Sequence, residues 1–314
     1  MPLKKILTIL YLLAVALSCA WYINANLDAL RESLSRIDVK WQLLSLTCLL
    51  PLYLSLLMNF VATQRRVEEP ARKIRFSQWF CGFIYGHIGR YVPGKVAMIF
   101  GRIHFFERLG LSKKALTVST LYENFFLVIV SIVLSMPALG AAIDRDGDAV
   151  SHFVTGIAFI ALSLVFIGSP LFEKSFLLAL RIFKREPPKQ SLFLTKSQIL
   201  AVLPYAFLVV VFTGCALFAL LRSFAPLEWT FYNVAMVTSA YAFASAAGIL
   251  ALFAPSGIGV REGVAAYILG GCLHLVDPVV LVMALILFRV ELMVVEFLLL
   301  SVAWLIKDEG RTIS

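Results

Sequence analysis

The sequence predicts an all-α fold, a polytopic membrane bundle of about six full spans and two Gly/Pro-broken re-entrant hairpins. Three observations lead there. The chain of 314 residues is 61% hydrophobic and 15% charged, with mean hydropathy +0.89, too little polar surface for a water-soluble domain. Apolar runs of spanning length alternate with short loops, two of them strongly basic. Two stretches set among apolar runs, Gly89–Lys95 and Phe253–Gly263, defy the composition of an apolar helix.

These stretches organise the rest. In the second, Pro255 removes a backbone donor and disfavours helix in the residue before it. Gly257, Gly259 and Gly263 allow backbone shapes that other residues resist, and Arg261 and Glu262 put opposite charges beside the break. In the first, Pro93 and Gly94 form the break, flanked by Arg90 and Lys95 and followed by Arg102. Broken, charged backbone persists at membrane depth only where protein or water covers it, so two such places imply a shared polar cavity.

In chain order, Ile6–Ile23 behind Lys4 and Lys5 is the first span, its amino end inside. It exceeds a signal-peptide core and lacks a clear cleavage site. Trp41–Thr63 is the second span, reached through the outside loop Asn24–Lys40. Gln64–Gln78 carries five basic residues against Glu68 and Glu69 and lies inside. Trp79–Glu107 is the first hairpin, where Gly82, Gly86 and Gly89 form a flat stripe at helical spacing. Lys114–Ile143 contains the next span, with Tyr122, Glu123 and Asn124 in its first third. An ionisable group there costs roughly 2.5–3.5 kcal/mol and must face protein or a cavity.

The acidic loop Asp144–Asp148 is placed outside, Phe153–Phe172 spans again, and Glu173–Lys196 is the second basic inside loop. Ser197–Leu221 spans outward, with a kink expected at Pro204. Phe231–Phe253, the break and the short run Glu262–Leu275 make the second hairpin. Asp277-Pro278 reads as a helix N-cap with proline in the first turn, and Val279–Ile306 is the last span. Both termini are expected in the cytoplasm, placing the protein in the cytoplasmic membrane. The net charge of +9 belongs to inside loops facing anionic headgroups and does not indicate nucleic-acid binding.

Cys19, Cys48, Cys81, Cys215 and Cys272 lie in apolar runs without a CxxC pair and read as small apolar side chains. The four histidines have no ligand spacing, so neither a metal nor another cofactor is expected. The chain forms one domain of two pseudo-halves, 1–149 and 150–314, each reading helix, helix, broken hairpin, helix. The second half starts on the opposite side of the membrane. Half-chains of opposite orientation, each interrupted by Gly and Pro, mark a transporter-like site near the midplane.

The elements Arg90-Tyr91-Val92-Pro93-Gly94-Lys95, Gly101-Arg102, Glu123 and Pro255-Ser256-Gly257-Ile258-Gly259-Val260-Arg261-Glu262 resemble the lysylphosphatidylglycerol synthase transmembrane-region family. The resemblance covers nearly the whole chain. It departs at Lys95-Val96, where many members have Gly-Glu, and at Asn124, where many have Arg. It implies a flippase-like membrane domain; because the chain stops at Ser314, the aminoacyl-transferase domain of the synthases is not expected.

Helices restarting after Pro93-Gly94 and after Pro255–Gly257 are expected to present free amides to an anion. Arg90, Lys95, Arg102 and Arg261 add charge, with Ser256 beside them, which suits a phosphate. Glu123, Glu262 and Glu291 either neutralise the arginines or take up a coupling proton. On the last span Arg289 and Glu296 share a face while Glu291 points elsewhere, and Glu291 is the preferred functional carboxylate. The alternative for Arg261 and Glu262 is structural pairing.

The expected partner is thus an anionic phospholipid or a lipid-linked polyprenyl-phosphate or glycolipid intermediate, bound or translocated. The alternative is a non-catalytic accessory subunit of a lipid- or glycan-synthesis enzyme. No His/Asp/Ser nucleophile set supports an embedded transferase.

Overall fold

A computed structural model describes residues 37–91, 96–143, 194–251 and 254–309, besides isolated positions at 24, 154 and 158. The expected spans Ile6–Ile23 and Phe153–Phe172, the loop Asp144–Asp148 and most of the loop Glu173–Lys196 lie outside the described residues. So do Pro93, Gly94 and Lys95.

Among the described residues all regular structure is helical. Helix α1 is Val39–Val67, capped by Asp38, whose carboxylate accepts the Lys40 amide. A 3-10 turn, Glu69–Lys73, leads to α2, Phe76–His87, and a second one at Ile88–Tyr91 ends that limb. The return limb α3 is Val96–Phe106. The glycine stripe faces it. A Cβ on Gly82 would lie 2.4 Å from the Phe106 ring, and one on Gly89 2.4 Å from the Met98 amide nitrogen. The limbs therefore run antiparallel and nearly touch, which only residues without side chains permit.

The expected single span Lys114–Ile143 is two helices, α4 (Lys113–Leu134) and α5 (Met136–Ile143), divided at Ser135. Pro137 explains the division, since it cannot donate within a helix. Beside it, the Ala138 amide is satisfied by Ser239 Oγ of another helix at 2.9 Å. Pro204 does not kink a helix as expected. A short α6, Lys196–Leu200, stops first, and Pro204 sits in the opening turn of α7, Leu203–Phe224, where no intrahelical donor is needed.

Helix α8, Phe231–Leu250, is rich in Ala, Ser and Gly and packs against α4, α5, α7 and α9. Small side chains admit neighbours on several sides. After the 3-10 turn Pro255–Gly257, α9 spans Val260–Ala266 and continues as a π-helical segment, Tyr267–Cys272. Helix α10 is Pro278–Glu309, and the Asp277 carboxylate accepts the Val279 amide at 2.9 Å, the cap expected from its sequence.

Among the described residues, five segments are long and apolar enough to cross a membrane: Val39–Val67, Lys113–Ile143, Lys196–Phe224, Phe231–Leu250 and Pro278–Ile306. Four of them are full spans expected from the sequence. The fifth is the long limb of the second break. Helix α1 lies along α7, α10 lies against α2, and the turn Ile88–Tyr91 packs directly on the turn Pro255–Gly257. Two breaks separated by about half the chain thus meet inside one bundle.

Candidate functional site

The second break is tight because its backbone is left-handed in three places. Ser256 has φ 53°, Gly257 φ 70° and Gly259 φ 83°. At Gly257 a Cβ would lie 2.8 Å from the Gly248 backbone, so the turn presses on the end of α8. Ser256, the non-glycine member, is strained there, a cost that packing around the turn must hold.

A cavity of about 110 Å³ opens beside the two breaks. That is room for several waters or one phosphate-sized group. Its polar wall includes His87 and Arg90 from the first break, Ser256 and Arg261 from the second, and Glu123 from α4. Leu52, Tyr53 and Leu56 of α1 and Val209 and Val210 of α7 contribute to its apolar wall.

Charge is distributed unevenly around this space. Arg102 is fully buried; its Nη1 donates to Glu123 Oε2 at 2.5 Å and to Thr120 Oγ1 at 3.1 Å, and its guanidinium carbon lies 4.1 Å from the Phe60 ring centre. Arg90 pairs with Glu296 of α10. Glu296 also accepts the Tyr53 and Tyr91 hydroxyls, each at 2.7 Å, and lies 3.5 Å from His87 Nε2. Arg289 pairs with Glu262 at 2.9 Å and donates to the Ser256 carbonyl at 3.3 Å. Three arginines are thereby neutralised one to one.

Arg261 is the exception. Among the described residues no carboxylate or other acceptor engages its guanidinium, and its Nε is buried without a partner. Among the described residues, a wall of the cavity therefore carries one positive charge without a counter-ion.

The two hairpins share a construction. Gly86 and Gly248 each stand seven positions before the break proline. A Cβ on Gly86 would meet Arg102 Cγ at 2.5 Å, and one on Gly248 would meet Arg261 Cγ at 2.4 Å. In both, an arginine of the return limb lies over a glycine of the entering limb. The helix after the first hairpin offers Arg102 a carboxylate, Glu123. The helix after the second turns Arg289 toward Glu262 and gives Arg261 none.

Of the residues singled out in the sequence, Arg90, Glu123, Ser256 and Arg261 border the cavity. Arg102 and Glu262 lie behind that wall, holding Glu123 and Arg289. Pro255, Gly257 and Gly259 shape the turn, while Lys95, Pro93 and Gly94 lie outside the described residues. Glu291 is elsewhere. It accepts from Gln42 Nε2 and, at 2.8 Å, from Ser45 Oγ, both on α1, and it does not line the cavity. The carboxylate that meets Arg90 is Glu296.

The free amides expected at the second restart are reduced by one: the Gly259 N–H donates to Glu262 Oε2 at 2.7 Å. Tyr53, His87, Tyr241 and Glu296 did not emerge as site residues from the sequence. The i, i+7 spacing that puts Arg289 and Glu296 on one helix face was the one usable signal.

The sequence model of the lysylphosphatidylglycerol synthase transmembrane region matches residues 9–306. The chain belongs to that family. Membership accords with the helical bundle and its spans and makes this an integral membrane protein. No curated protein matches the chain. In this member of the family the motif residues Arg102 and Glu123 satisfy each other, and the motif residue Arg261 is left for the cavity.

Proposed function

We propose that this protein binds the phosphate of an anionic lipid or lipid-linked intermediate at Arg261 and carries it across the membrane between its two broken hairpins. The uncompensated Arg261 guanidinium in the cavity wall is the observation that carries this reading. A buried cation without a counter-ion is costly, and a phosphate entering beside it supplies the missing charge through paired N–H donors. Arg90 is the second donor, reached when the anion displaces Glu296.

The meeting of the two breaks supports a single domain of two oppositely oriented halves, pseudo-halves 1–149 and 150–314. The basic loop Gln64–Gln78 supports cytoplasmic termini in the cytoplasmic membrane.

Purified protein in proteoliposomes tests the reading. Fluorescent anionic phospholipids in the inner leaflet become accessible to an external quencher faster with protein than without, and Arg261→Gln abolishes the gain. No acceleration across a panel of anionic lipids, alongside stable co-purification with a lipid- or glycan-synthesis enzyme, would establish the accessory-subunit reading instead.

A further inference from the structure

Glu291 stands apart among the carboxylates of the apolar helices. Glu123, Glu262 and Glu296 each hold an arginine. Glu291 lies near the middle of the span Pro278–Ile306, is 5% exposed and meets no cation among the described residues. Its two oxygens each accept one hydrogen bond from a neutral group of α1, Gln42 Nε2 and, at 2.8 Å, Ser45 Oγ.

The charged groups of the elements packed on α10 are engaged elsewhere. On α7, Arg222 donates to the Leu227 carbonyl and lies over the Trp41 ring, 4.5 Å from its centre. On α2, His87 sits 3.5 Å from Glu296. On α9, Glu262 takes Arg289, and Arg261 borders the cavity. On α1, Lys40 is exposed at one end, Arg65 and Arg66 stand in the last turn, and Tyr53 donates to Glu296.

A buried carboxylate held only by neutral donors keeps most of its desolvation cost, and a proton removes that cost. Both partners suit either state. The Ser45 hydroxyl accepts as well as donates, and the Gln42 amide presents its oxygen when turned over. Protonating Glu123 or Glu296 would strand an arginine, whereas protonating Glu291 strands nothing. The site also has an exit and a neighbour. Gln42 is half-buried and one helical turn from the exposed Asp38 at the start of α1. Leu292, next to Glu291, lines the cavity, and its carbonyl accepts the Tyr53 hydroxyl at 3.1 Å.

Resting, for its transport step, on the proposed passage of a lipid through this cavity, we infer that Glu291 is a proton-binding site whose proton, exchanged through Gln42, is the coupling ion of that passage. Without the proton, Glu291 holds α1 through two charge-assisted hydrogen bonds. The arriving proton forms an O–H at Glu291 Oε2, which donates to Ser45 Oγ. The assistance of charge is then lost, and the seam of α1 and α10 beside the cavity loosens.

The test uses the full-length protein in lipid membranes and two readouts. Infrared spectra over a pH series should show the carbonyl stretch of a protonated carboxylic acid, shifted in heavy water and lost as pH rises. Glu291→Gln should remove that band. Ser45→Ala takes away one donor to the carboxylate and should move the midpoint of the band to higher pH. In proteoliposomes an imposed pH gradient should speed lipid passage severalfold in the wild type and leave Glu291→Gln unaffected.

If Glu291→Gln melts early, the midpoint shift in Ser45→Ala carries the comparison. The absence of any band that these variants remove or shift overturns the inference. So does lipid passage that ignores the pH gradient, that responds to a sodium gradient instead, or that keeps its response in Glu291→Gln. Lipid passage absent with and without a gradient overturns the transport reading and the coupling with it, and the infrared band then decides the proton site alone.

Discussion

Glu296, on the last helix, closes on Arg90, at the first break, and so joins the two halves of the chain. Two tyrosine hydroxyls and a histidine surround the same carboxylate. The pair fixes α10 to the turn Ile88–Tyr91 and keeps Arg90 neutralised beside the cavity.

Glu296→Gln leaves the shape and removes the charge. It should destabilise the protein by about 3–5 kcal/mol, because a buried guanidinium loses its counter-ion. Adding Arg90→Gln should recover much of that loss. Chemical unfolding of the purified protein in detergent, run as a double-mutant cycle, measures both.

Arg261 and Glu262 are neighbours with opposite expected phenotypes. Arg261→Gln strands no partner, so its melting temperature should match the wild type or exceed it, while anion affinity falls about ten- to a hundredfold. Glu262→Gln strands Arg289 and frees the Gly259 amide, so it should lower the melting temperature. Thermal melts paired with lipid-binding isotherms separate the two. Equal destabilisation by both variants would assign Arg261 to holding the fold.

Gly248→Ala places a methyl group where Arg261 Cγ and Nε now lie, at 2.4 Å and 2.7 Å. It should cost about 1–3 kcal/mol by overpacking and weaken anion binding by displacing the guanidinium. Gly263→Ala meets nothing within 4 Å and should gain about 0.5–1 kcal/mol from the backbone. Side-by-side melts of the two alanine variants check the contrast.

Arg102 with Glu123 is a buried pair. Glu123→Gln alone should cost about 3–5 kcal/mol, whereas Arg102→Met with Glu123→Leu should restore near wild-type stability. Lipid binding in the apolar double variant then asks whether the pair serves anything beyond joining α3 to α4. Retained binding assigns it to the scaffold.

The sequence by itself determined the class, the spans that fall on described residues, the positions of both breaks and the identity of the family. Those properties rest on local composition: apolar length sets a span, proline and glycine end a helix, and a stripe such as Gly82, Gly86 and Gly89 announces close contact. Asp277 and the opposed faces of Arg289 and Glu291 were legible for the same reason, because helix geometry relates near neighbours.

Partner choice was not legible. Glu123, Glu262, Glu291 and Glu296 are the same kind of residue, each set in an apolar helix. Which one meets Arg90, Arg102 or Arg289 depends on how distant helices cross. The tertiary structure alone decided that Glu291 faces Gln42 and Ser45, that Glu296 takes Arg90, and that Arg261 is left over. Charge pairing over such sequence separation follows from packing, and no local rule encodes it.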